Sequence, residues 1–295
     1  MKKIPLILLV LLIAAAALIA GCSQQQAQTT PLPTTGPAAQ PTAALPDTIK
    51  ITGSAAGPII TDAQGKTLYY FANDIPSKGT SACNGQCAAL WPPYDGGNVS
   101  VSSPLDPADF NSISRADGSR QTTWYGWPLY YYSKDTKAGD MNGENFLNVW
   151  FTLKPDQSVM VAHTTTLGLY LTDTSGMTLY TFTKDTASNS SCTGACIALW
   201  PPFNSTPIEP PSSVKIADFG TVNRADGLAQ LSYMGKPLYY YSHDVNPGDT
   251  NGEGFNNLWY VANVSGMSPV ATVRPTASPT TLNTPSPSGG GYGGY

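Results

Sequence analysis

The chain has 295 residues, 41% of them hydrophobic and only 12% charged, with a formal net charge of −4. A charge density about half the usual share, and acidic in balance, argues against nucleic acid or anionic lipid headgroups as partners. Ser, Thr, Asn, Gly and Tyr are plentiful instead, which suits an extracytoplasmic surface solvated by hydroxyls and amides.

Lys2 and Lys3 precede an apolar run over residues 4–20, and Ile19-Ala20-Gly21-Cys22 closes it. This is the pattern of a signal peptide over residues 1–21. A cysteine at the cleavage point resembles a lipobox, so lipid is expected on the sulfur of Cys22, anchoring the chain to the membrane. An uncleaved anchor is the alternative, since the run is just long enough to span a thin bilayer. Both readings place the remaining chain outside the cytoplasm. Residues 22–46 are uncharged and rich in Gln, Thr, Pro and Ala; they bury too little apolar surface to offset ordering entropy and read as a flexible linker. Residues 265–295 repeat that composition and read as a disordered tail. Asn98, Asn189, Asn204 and Asn263 begin Asn-x-Ser/Thr sequons, which matter only in a host that glycosylates its surface proteins.

Between these segments a ten-residue motif, Gly-x-Thr/Pro-Leu-Tyr-x-Phe/Tyr-x-x-Asp, occurs at residues 65–74, 126–135, 176–185 and 235–244. Trp91, Trp150, Trp200 and Trp259 follow the four copies 15 to 17 residues later. Residues 83–150 align with 192–259 at a constant offset of 109, and upstream the offset is 111. The periodicity implies a tandem duplication, with β repeat domain 1 over residues 47–162, β repeat domain 2 over 163–264, and two half-repeats in each.

Strand signals fall at residues 48–52, 58–61, 67–71, 121–125 and 128–132, separated by Asp and Gly turns. Brief helical turns are expected at 87–91 and 107–110. The expectation is an all-β fold of two antiparallel domains, with no βαβ pattern. Strand parity puts Tyr69 with Phe71, Tyr130 with Tyr132, Tyr180 with Phe182 and Tyr239 with Tyr241 on one aromatic core face. The other face carries Leu and then Tyr70, Tyr131, Thr181 or Tyr240, and Thr181 implies that it is only partly buried. The closing Asp74, Asp135, Asp185 and Asp244 sit near strand ends, where a carboxylate accepts N–H bonds from the turn.

Thr-Asp-x-x-Gly-x-Thr-Leu-Tyr-x-Phe-x-x-Asp, Cys-x-Gly-x-Cys-x-Ala-Leu-Trp-Pro-Pro, Arg-Ala-Asp-Gly and Gly-x-Pro-Leu-Tyr-Tyr-Tyr follow one another in order, twice. The series resembles the secreted-repeat family of prokaryotic lipoproteins, named for a Tyr-x-Phe/Trp/Tyr-x-x-Asp motif. The resemblance covers residues 48–264 and implies a compartment and a repeat, but no activity.

Several constellations bear on chemistry. Cys83 with Cys87, and Cys192 with Cys196, are spaced as short disulfide loops outside the cytoplasm; a redox-active pair and a metal role are the alternatives. His163 and His243 have no histidine counterparts in the other repeat. Asp140, Asn142 and Glu144, and likewise Asp249, Asn251 and Glu253, place oxygen donors at alternate positions around a glycine. They resemble a calcium loop incompletely and read otherwise as an ordinary turn. Arg115 and Arg224, each before Ala-Asp-Gly, are suited to pair with a motif Asp, with binding of a substrate anion as the alternative. No nucleophile-base pair repeats, and Gly-x-Ser-x-Gly, phosphate-loop and His-Glu-x-x-His signatures are missing, which argues against an enzyme. The reading is a cell-surface lipoprotein whose noncatalytic repeats bind a glycan or envelope protein or act as a spacer. The alternative is an extracytoplasmic redox or metal-binding accessory protein.

Overall fold

The computed structural model describes residues 48–264, which lie in one compact unit. The signal peptide, Cys22, the linker and the tail lie outside the described residues. Strands dominate. β1 (Ile49–Ser54) and β2 (Gly57–Asp62) form a hairpin, followed by β3 (Tyr69–Phe71) and a short helix, α1 (Gln86–Leu90). β4 (Phe110–Ser114), β5 (Arg120–Trp124) and β6 (Trp127–Pro128) make a three-stranded antiparallel sheet, and β7 (Trp150–Thr152) returns to pair with β3. The second half repeats this order in β8 (Val159–Thr164), β9 (Gly168–Asp173), β10 (Tyr180–Phe182), α2 (Ala195–Leu199), β11 (Phe219–Asn223), β12 (Ala229–Tyr233), β13 (Lys236–Pro237) and β14 (Trp259–Val261). There β10 pairs with β14.

The β3–β7 and β10–β14 pairings join residues about eighty positions apart and depart from a simple meander. Periodicity cannot reveal them, because β7 and β14 are three residues long and mostly buried. The turn at 107–110 is a 3-10 turn over Pro107–Asp109, capped by the Asp106 carboxylate, which accepts the Ala108 N–H.

The two halves share a face, and the division expected between residues 162 and 163 falls within β8. The Val161 N–H of β8 donates to the Tyr70 hydroxyl at 3.2 Å, and the His163 N–H to the Ala72 carbonyl at 2.8 Å. Trp127 Nε1 donates to the Thr174 carbonyl at 3.0 Å, and Lys154 pairs with Glu209. Pro76 and Ile75 press against Gly176 and Gly248 so closely that a Cβ at either glycine would collide with them. This face explains Thr181. Its counterpart Tyr70 is buried beneath the second half, whereas Thr181 is only partly buried among the described residues. Other counterparts change the same way. Phe151 becomes the exposed Tyr260, Trp127 becomes Lys236, and Ile75-Pro76 becomes Thr186-Ala187.

Candidate functional site

The two motifs of each half meet at an antiparallel bridge. Tyr69 N–H donates to the Tyr130 carbonyl at 2.9 Å and Tyr130 N–H to the Tyr69 carbonyl at 3.0 Å; Tyr180 and Tyr239 do the same at 2.8 and 3.0 Å. From this crossing each phenol reaches the closing Asp of the opposite motif. Tyr69 Oη donates to Asp135 Oδ2 at 2.6 Å, and Tyr130 Oη to Asp74 Oδ2 at 2.7 Å. Tyr180 donates to Asp244 and Tyr239 to Asp185, both at 2.6 Å. The other oxygen of each carboxylate accepts a backbone N–H, from Ala82, Asn142, Ser191 or Asn251. The Asp therefore closes its own loop and anchors the neighbouring motif.

All four locks are buried. Desolvation pushes Asp74 up to about 7, against the opposing pull of the Ala82 N–H, the Tyr130 hydroxyl and the Arg115 charge. Burial also raises Asp135, Asp185 and Asp244 above the usual carboxylate range. The four motif tyrosines are raised, first by burial and then by their Asp partners. Each phenol consequently keeps its proton and donates.

The tryptophans cross over as well. Trp91, which follows motif one, stacks parallel on Trp150, which follows motif two, with centroids 3.8 Å apart. Phe71 covers the other side of Trp150 at 4.2 Å, and Tyr132 lies against Trp91 at 4.3 Å. Phe182, Trp259, Trp200 and Tyr241 reproduce this four-ring column at 4.2, 3.8 and 4.3 Å. Gly143 and Gly252 lie against the indole edges, and a Cβ at Gly143 would stand 2.5 Å from Trp91 Cη2. Glycine is needed there for close approach rather than for a left-handed turn.

The arginine expectation is corrected. Arg115 does not bond a motif Asp: its guanidinium donates to the Cys83 carbonyl and Gln121 Oε1, each at 2.5 Å. Arg224 donates to the Cys192 carbonyl, Gln230 and Ser190. The acids nearest their Nε atoms are Asp117 at 3.8 Å and Asp226 at 3.0 Å, the third residue of each Arg-Ala-Asp-Gly turn. A guanidinium fork fits two neighbouring carbonyl-type acceptors, and here those come from the cysteine loop and from β5 or β12. Cys83–Cys87 and Cys192–Cys196 are disulfides, with Cys83 and Cys192 fully buried.

The donors proposed for calcium are committed elsewhere. Asp140 Oδ2 accepts the N–H groups of Thr136 and Lys137, and Asp249 Oδ2 those of Val245 and Asn246. The Asn142 amide donates to Asp135. Glu144 and Glu253 accept the N–H groups of Thr152 and Val261. Among the described residues no three His, Cys, Asp or Glu side chains form a metal-binding group.

Four segments, residues 50–94, 111–154, 161–204 and 220–263, match the family described as a secreted repeat of unknown function. The chain belongs to that family. No curated protein and no solved structure matches it. Each secreted repeat carries one motif and its following Trp, yet every Tyr–Asp lock and every Trp pair needs two repeats. The family description places the chain outside the cytoplasm, and no described helix is long and apolar enough to cross a membrane.

Sequence reasoning missed further members of each secreted-repeat pair. Tyr131 donates to Asp62 at 2.7 Å and Tyr240 to Asp173 at 3.0 Å, adding a second Tyr–Asp bond per half. Ser81 and Ser190 bond the Tyr130 and Tyr239 hydroxyls. Each residue is identical in both halves at the duplication offset, and that identity was the available signal.

Proposed function

We propose that this protein is a lipid-anchored cell-surface module whose repeats are a noncatalytic scaffold for binding another envelope component. The observation that carries the reading is the internal commitment of the recurring polar residues. Both oxygens of every motif Asp, and the hydroxyl it meets, are bonded within the fold. A group so engaged and buried has nothing left for a substrate, so recognition falls to positions where the copies differ.

Those differences favour the second half. Among the described residues the exposed large apolar side chains are Tyr125 in the first half and Ile216, Leu228, Met234, Val245 and Tyr260 in the second. Ile216, Leu228 and Val245 stand where the first half has Pro107, Ser119 and Thr136. Apolar side chains gained at exposed sites suit contact with a glycan or protein. The redox alternative is weakened by the two disulfides, each with one sulfur fully buried.

The test uses the full chain carrying Cys22→Ala, which the reading predicts is released to the medium. That protein should be retained on native envelope fractions, and Ile216→Ser with Leu228→Ser should reduce retention. Failure of the first variant to be released removes the lipid anchor. Absence of retention removes the binding role and leaves a spacer.

A further inference from the structure

Each half encloses two phenols bonded to buried carboxylates and set edge-on to a stacked indole pair. In the first half Tyr69 lies 5.3 Å from Trp91, Tyr130 lies 5.0 Å from Trp150, and the indoles are parallel at 3.8 Å. In the second half the corresponding separations are 5.4, 5.1 and 3.8 Å. Losing one electron makes a phenol a very strong acid, so in a buried site oxidation is favoured where a base already waits at its oxygen. Asp135 and Asp74 occupy that position, 2.6 and 2.7 Å from the hydroxyls. Parallel indoles in contact share an electron vacancy over two ring systems, and each phenol stands edge-on to one of them.

We infer that each half is a one-electron redox module that accepts oxidising equivalents from surface oxidants and holds them as a buried neutral tyrosyl radical. The oxidant is a one-electron acceptor, either an oxidising radical or a high-potential metal complex. In the forward step Tyr–OH and Asp–COO⁻ become Tyr–O• and Asp–COOH. The phenol O–H bond breaks, a carboxyl O–H bond forms, and one electron leaves to the oxidant, which is reduced by one unit. An electron from a reductant reverses the step, the proton returning to the phenol. No atom enters or leaves the protein.

The surroundings suit this chemistry. Tyr69, Tyr130, Trp91 and Trp150 are at most 2% exposed, which keeps the radical from coupling with a second chain. The proton moves along an existing hydrogen bond, so no polar group needs to be solvated anew. Asp74 is pushed up to about 7 by burial, so Tyr130 has its base above that pH and loses it below.

The experiment is freeze-quench electron paramagnetic resonance of the folded protein after mixing with hexachloroiridate(IV). The expected result is a persistent tyrosyl radical whose formation slows in deuterated solvent and whose yield rises with pH, the Tyr130 share appearing as pH passes about 7. Tyr130→Phe with Tyr239→Phe keeps the rings and should lower the yield by roughly half, because the remaining pairs act independently. Asp135→Asn with Asp244→Asn leaves every tyrosine in place and should abolish the contribution of Tyr69 and Tyr180. Near-ultraviolet circular dichroism selects folded samples. If a variant does not fold, the isotope effect and pH profile of the unaltered chain decide the matter. The inference is overturned if the radical shows neither dependence, if folded Asp→Asn variants give an unchanged yield, or if Tyr125→Phe with Tyr260→Phe removes the signal.

Discussion

Replacing Asp74 by Asn isolates the electrostatic cost of one lock. The carboxyl is 1% exposed, and burial moves it from its usual 3.8 to about 7. At 1.36 kcal/mol per pH unit, this amounts to about 4 kcal/mol of pH-linked stability. The folded pKa is raised, so the folded state binds the proton more tightly than the unfolded chain. The stabilising contribution is therefore present in full below about pH 4 and is lost as pH rises through 7. Asn imitates the protonated acid, keeps an acceptor for the Ala82 N–H and does not titrate. Urea unfolding at intervals from pH 4 to 8 should show the variant gaining on the natural chain by about 4 kcal/mol across that range. A difference that stays constant within about 1 kcal/mol, or that favours the natural chain as pH rises, would refute the buried-proton account.

Other outcomes follow from packing. Gly143→Ala and Gly252→Ala drive a methyl into an indole edge, so each should destabilise by about 1–3 kcal/mol and perturb the near-ultraviolet signal of the Trp pair. Trp127→Lys copies Lys236 into the shared face; calorimetry should then show the halves melting in two transitions instead of one. Residues 47–162 produced alone would expose Tyr70, Trp127 and Phe151, and should bind a hydrophobic dye that the whole chain does not. EDTA should leave the melting temperature unchanged, because the carboxylates of Asp140 and Asp249 already hold turn N–H groups.

The limits of sequence reasoning here have physical causes. Alternation exposed the hairpin strands because their two faces have different surroundings, and it placed the aromatic face of the motif. It missed β7 and β14 because strands of three residues have too little length for a period to register. The reciprocity of Tyr69 with Asp135 was hidden for another reason. Within one motif Tyr and Asp lie five residues apart and invite a local interpretation, yet the bond crosses between motifs and depends on the antiparallel bridge at Tyr69 and Tyr130. Arg115 misled for a related reason. Charge alone suggests a carboxylate partner, whereas a buried guanidinium fork is satisfied by the Cys83 carbonyl and Gln121. Thr181 at a position otherwise aromatic correctly signalled a change of environment, and its cause became visible only with the shared face.

The claim that the motifs fold as reciprocal pairs is tested most directly by double-mutant cycles on Tyr69. Tyr69→Phe combined with Asp135→Asn, measured by urea unfolding at fixed pH, should show a coupling energy of about 1–3 kcal/mol. Tyr69→Phe combined with Asp74→Asn, within one motif, should be additive to within about 0.5 kcal/mol. Coupling to Asp74 with additivity at Asp135 would mean that each motif locks itself, and would contradict the account.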